Sequence, residues 1–159
     1  MKIGVISDTH SLAIPKQVMD ELKKVDLIIH AGDFCCHSDY EPLRKLKEVK
    51  AVQGNMDGPD IRKLFPVKQT FVCDGVKIGL YHGEGAAPAV LERVKKEFVK
   101  DDVQVVVFGH SHQPLNEMVG KTLYFNPGSP NDMVRAPYCS FGILEISQGK
   151  VVGRIIKVK

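Results

Sequence analysis

Apolar residues follow two different periods along this chain. Residues 2–6 and 26–30 are nearly continuous apolar runs, the pattern of strands buried on both faces. Between them Val18, Leu22 and Val25 recur at helical spacing, which predicts a helix over 14–24 with Pro15 suited to its first turn. Leu43 and Leu46 share one face of a second predicted helix over 38–47, with Ser38 as its cap, and 49–53 reads as a third strand. This βαβαβ order predicts a parallel sheet with right-handed crossovers.

The second half is built differently. Asp74-Gly75 separates 67–73 from 76–81, Gly120-Lys121 separates 115–119 from 122–126, and Gln148-Gly149-Lys150 separates 139–146 from 151–158. Each is a hairpin signal. An amphipathic helix over 88–100 runs through Val90, Leu91, Val94 and Phe98, and 103–108 reads as a buried strand. Parallel units followed by hairpins predict an α/β fold of two stacked mixed sheets with helices outside. The loops 54–59 and 126–130 are poor in regular structure.

Composition narrows the function classes. The 159 residues fit a single domain, 1–159, long enough to bury a sizeable core. With 22 basic and 19 acidic residues the net charge of +3 is too mild to predict a nucleic-acid surface. Seven Phe, four Tyr and no Trp, mostly within strand patterns, offer no stacking platform either. No apolar run approaches the ~20 residues of a membrane span. The chain enters a strand pattern at once and its four cysteines form no CxxC pair, so the expectation is a cytoplasmic protein with reduced thiols.

The chemistry lies where the apolar runs stop. Ile3–Ile6 leads to Asp8-Thr9-His10, Leu27–Ile29 to Gly32-Asp33, Ala51-Val52 to Gly54-Asn55, Ile78–Leu80 to His82, and Val105–Phe108 to Gly109-His110-Ser111-His112. Each alone is ordinary turn chemistry; five in one chain are not. In open α/β sheets ligands gather at the carboxyl ends of strands. Two carboxylates, one amide and four imidazoles exceed the roughly four ligands of one zinc ion. They suit two cations about 3.5–4 Å apart sharing a carboxylate.

These segments, in this order, resemble the calcineurin-like metallophosphoesterases, and Asn126-Pro127-Gly128-Ser129 resembles their small prokaryotic YfcE-like phosphodiesterase branch. The resemblance implies a four-layer α/β/β/α sandwich. It also implies a site in which Asp8, His10 and His112 hold one divalent metal, Asn55, His82 and His110 a second, and Asp33 bridges them. Mn²⁺ is the first choice of metal, with Ni²⁺, Fe²⁺, Co²⁺ or Zn²⁺ as the others, since affinity order alone does not choose. The implied reaction is hydrolysis of a small phosphodiester or phosphomonoester by metal-generated hydroxide; a homodimer or tetramer is the expected assembly. The competing expectation is a non-catalytic scaffold, because the retromer scaffold subunit resembles the same branch; retention of all seven ligands favours the enzyme.

The family's Gly-Asn-His-Asp/Glu reads Gly54-Asn55-Met56-Asp57 here, and a thioether cannot donate a proton. His37 is the substitute acid to examine. Arg62 and Arg135 are candidates to grip phosphate. His30, Asp57, Asn126 and Ser129 are expected to support the site from behind or to serve turns.

Overall fold

Ten strands and four helices make up the computed structural model, which describes residues 1–159. Strands β1 (Lys2–Ile6), β2 (Leu27–His30) and β3 (Val49–Ala51) run parallel, as the βαβαβ order predicts. They are connected by α1 (Lys16–Leu22) and α2 (His37–Leu46). A third helix, α3 (Pro59–Leu64), follows, and its Pro59 sits in the first turn. The hairpin β4 (Lys68–Cys73) and β5 (Val76–Tyr81) turns on Asp74 and Gly75, both at positive φ. A 3₁₀ turn at Ala87–Ala89 leads into α4 (Val90–Glu97) and then β6 (Val105–Val107). The hairpins β7 (Leu115–Val119) with β8 (Thr122–Asn126), and β9 (Ser140–Ser147) with β10 (Lys150–Lys157), complete the chain.

The strands form two five-stranded sheets, ordered β10-β9-β1-β2-β3 and β4-β5-β6-β8-β7. Alternation along each strand decides what fills the layers. Ile3, Val5, Leu27 and Ile29 of the first sheet meet Ile78, Leu80, Val105 and Val107 of the second in the central core. On the opposite faces, Ile6 and Ile28 pack with Val18, Leu22, Leu43 and Ile61 of α1–α3, while Val106 packs with Val90 and Val94 of α4. The result is the four-layer α/β/β/α sandwich. No helix is long and apolar enough to cross a membrane, and all four cysteines are free.

Some boundaries differ from the sequence reading. Ser38 is not the cap of α2: Cys36 precedes the helix, its N–H donates to Asp39 Oδ2 at 3.1 Å, and Ser38 falls inside the first turn. The helix α3 is absent from that reading because one buried side chain, Ile61, leaves too short a period to detect. The runs 49–53 and 103–108 yield only three paired residues each, since their ends leave the sheet to build loops.

Candidate metal centre

The carboxyl ends of β1, β2, β3, β5 and β6 meet at one edge of the sandwich, and backbone hydrogen bonds lock the loops that leave them. Asp8 N–H donates to Gly32 O, His10 N–H to Asp33 O, and Gly109 N–H to His82 O, each at 3.0 Å. The turns are tight: Asp8, His10, Asp33, His110 and His112 all have φ between 47° and 64°, the left-handed region. Gly54 and Gly109 allow the close approach, for a Cβ on Gly54 would strike the Asp33 carboxylate and one on Gly109 the Ser7 hydroxyl.

Asp8 and Asp33 are buried, and three imidazoles face them. His112 Nε2 lies 3.3 Å from Asp8 Oδ1, and His82 Nε2 lies 3.3 Å from Asp33 Oδ2. His10 Nε2 is 3.2 Å from His112 Nε2, 3.9 Å from Asp8 Oδ1 and 3.8 Å from Asp33 Oδ2. Two ligand groups result, Asp8–His10–His112 and Asp8–Asp33–His82, with their atoms within 4.8 Å of one another. Burial would raise the Asp8 and Asp33 carboxyls, but His112 and His82 outweigh it and hold both below the usual range. Burial would likewise lower His82, but Asp33 and Asp8 hold it up at about 9.

The partners behind the rings show what the front atoms can do. A carbonyl only accepts, so the 2.7 Å contact of His82 Nδ1 with Ala31 O places the ring hydrogen on Nδ1. Nε2 is then buried without a hydrogen bond and faces two carboxylates. Such a nitrogen asks for a proton or a cation. A set of carboxylate oxygens and imidazole nitrogens without thiolate fits divalent first-row cations.

Asn55 and His110 stand beside this cluster and engage each other, Asn55 Oδ1 lying 2.9 Å from His110 Nδ1. The His110 ring meets His82 edge-on at 5.2 Å, and its backbone N–H donates to Asp8. His37 does not join: it opens α2, exposed, with Nε2 3.5 Å from Glu41 and its ring against Tyr40. Arg62 is committed elsewhere, donating through Nε to Asp57 O at 2.6 Å and through Nη2 to Asn55 O at 3.0 Å. Arg135 is exposed and lines a cleft of about 380 Å³ with His10, Leu12, Met56, Asp132 and Val134.

The supporting residues take definite places. Asp57 is buried and accepts N–H groups from Gly54 (2.6 Å), Cys35 (2.7 Å) and Asp33 (3.1 Å). His30 lies beneath the site, its ring stacked on Phe34 at 3.5 Å, with Nε2 3.1 Å from Thr9 Oγ1 and Nδ1 accepting from Gly32 N–H. Asn126 donates to Gly109 O at 2.9 Å and Ser129 to Asp8 O at 2.8 Å. The sequence reading missed Asp132, whose Oδ2 is 2.5 Å from His112 Nδ1. No period or motif marks it, because it stands in an irregular loop.

Two stacked sheets with buried carboxylates and imidazoles at their meeting carboxyl ends define a two-sheet α/β protein with a candidate site for divalent metal. Residues 1–149 match the calcineurin-like phosphoesterase superfamily domain, and the chain belongs to that superfamily. It is 36% identical to a probable metallophosphoesterase of Methanocaldococcus jannaschii, over all of this chain and 82% of that protein. It is 28% identical to phosphodiesterase YfcE of Escherichia coli, over 91% of this chain and 88% of that one. Among solved structures it is similar to Vps29 of Entamoeba histolytica complexed with Zn²⁺, with 28% identity, a TM-score of 0.79 and 99% coverage of both chains. The chain is a metallophosphoesterase-family protein, and phosphoester hydrolysis is the activity the family supports.

Proposed function

We propose that this chain is a metal-dependent phosphodiesterase acting on small phosphodiesters, with phosphomonoesters as poorer substrates. The observation that carries the reading is His82: one ring nitrogen is tied to Ala31 O, and the other is buried, unbonded and turned to Asp33 and Asp8. Asp8, His10 and His112 would hold one divalent cation, and Asn55, His82 and His110 a second, with Asp33 reaching both. Mn²⁺ is the first metal to test, followed by Ni²⁺, Fe²⁺, Co²⁺ and Zn²⁺. Bound there, divalent cations supply an acidified water at neutral pH and neutralise charge on phosphoryl oxygens.

The chain's own residues support a diester. The cleft beside His10 has a counterpart of about 300 Å³ beside His82, lined by Gln53, Asn55, Arg62, Tyr81 and Glu84. A phosphorus atom between two clefts can carry an ester group in each. Met56 lies on the first cleft and has no proton to give, so the departing alcohol must be acidic enough to leave unaided.

The test is hydrolysis of an aryl phosphodiester and its aryl monoester by metal-stripped protein with each cation restored in turn. Metal-dependent diester cleavage that Asp33→Asn abolishes is expected. Its absence with every cation would overturn the enzyme reading. The likeness to Vps29 supports the second reading, a metal-binding interaction scaffold, and this same result would favour it.

A further inference from the structure

His112 is held from behind by a carboxylate. Its Nδ1 lies 2.5 Å from Asp132 Oδ2, while its Nε2 faces Asp8 Oδ1 at 3.3 Å and His10 Nε2 at 3.2 Å. An ionised carboxylate only accepts, so Nδ1 carries a hydrogen, and Nε2 is the nitrogen left facing the cluster to take a cation in place of a proton. The other oxygen, Asp132 Oδ1, accepts the N–H groups of Val134 at 2.8 Å and Arg135 at 2.9 Å. Those two residues line the cleft that also contains His10 and Met56. The turn is anchored in return: Asp132 N–H donates to Ser129 Oγ at 3.1 Å, and Asn131 Nδ2 to Thr9 O at 3.1 Å and Leu12 O at 3.2 Å.

We propose that Asp132 is a positioning residue that fixes His112 as the metal-binding tautomer and ties this ligand to the wall of the substrate cleft. The proposal rests on the metal-binding reading of Asp8, His10 and His112. The physical reason is that one carboxylate serves two different demands, one per oxygen. Orienting a ligand imidazole through its second nitrogen also raises its basicity, and losing such a partner typically costs about 10–100-fold in metal affinity.

Asp132→Asn is the sharp variant. Its single oxygen can keep the Val134 and Arg135 N–H groups, but an NH₂ then faces His112 Nδ1. A group that only donates stabilises the tautomer with hydrogen on Nε2, the wrong one for binding. Titration of Mn²⁺ into the metal-free full-length chain should show the first cation weakened about 10–100-fold, with the melting temperature of the metal-free protein little changed. A second measurement needs no variant: the zinc-loaded wild type should show a far-downfield, slowly exchanging Nδ1–H proton assigned to His112. Wild-type affinity in Asp132→Asn, or absence of that proton in a wild type that binds zinc, would overturn the role of Asp132 alone. A wild type that binds neither Mn²⁺ nor Zn²⁺ would overturn the metal-binding reading and this one with it.

Discussion

The backbone N–H of Met56 donates to Oδ1 of Asp33 at 2.8 Å, while the Met56 side chain is 57% exposed on the wall of the cleft. The main chain orients the carboxylate and the side chain is free of that duty. The residue that departs from the family pattern can therefore be changed without disturbing Asp33.

Met56→His should restore a proton donor at the cleft. General-acid help is worth about 10²–10⁴-fold, so the gain should appear with basic leaving groups and fade with acidic ones. The measurement is kcat/KM for phosphodiesters of graded leaving-group pKa, with Mn²⁺ present. The wild type should fall steeply across the series and the variant less so. His37→Ala should leave the wild-type slope unchanged, because that ring is engaged by Glu41 and Tyr40.

Asp57→Ala should cost about 3 kcal/mol or more of stability, because it strands three backbone N–H groups at roughly 1–3 kcal/mol each. Asp33 and Gly54 lose their brace together, so metal affinity should fall as well. Urea denaturation of the metal-free variant tests the first effect; a loss below 1 kcal/mol would count against the brace.

Burial pushes His30 down to about 3 from its ordinary 6.5. The folded state refuses a proton that the unfolded chain accepts below that ordinary value. Its contribution to stability is fully present above about pH 6.5 and is lost as pH falls toward 3. The slope is up to about 1.4 kcal/mol per pH unit. Urea midpoints from pH 7 to 4, with chelator throughout, should therefore fall more steeply in the wild type than in His30→Gln; parallel curves would refute this.

Divalent cations should raise the melting temperature in a concentration-dependent way, since they bind the clustered carboxylates and imidazoles of the fold and scarcely the open chain. Identical melting curves in chelator and in saturating Mn²⁺ would exclude a preformed site. Asp33→Asn should shrink the shift more than Asn55→Ala, because Asp33 lies within the buried cluster and Asn55 beside it.

The fold was legible because burial writes long signals. The strands around Val5, Ile29 and Val107 are apolar on both faces, and Asp74-Gly75 dictates a turn. The candidate ligands were legible because each follows such a strand, and the structure gathers Asp8, His10, Asp33, His82 and His112 there. What escaped detection depends on particular contacts rather than on spacing. Arg62 reads as a phosphate clamp until its guanidinium is found on the carbonyls of Asn55 and Asp57. Asp132 meets His112 across 20 residues that include the whole β7–β8 hairpin, and Asp57, expected only to support the site or a turn, takes its definite place on the N–H of Asp33, 24 residues away. Neither separation leaves a periodic trace.

The left-handed backbone at Asp8, His10, Asp33, His110 and His112 sets the fold against its own site. For residues other than glycine that conformation costs roughly 1–2 kcal/mol each, less for aspartate, which tolerates it better. Glycine at any of these positions would relax the chain and delete a candidate ligand in one step. At Asp8 and Asp33 that relief is opposed, because glycine there would also strand the N–H groups of His110 and Met56 that the two carboxylates accept.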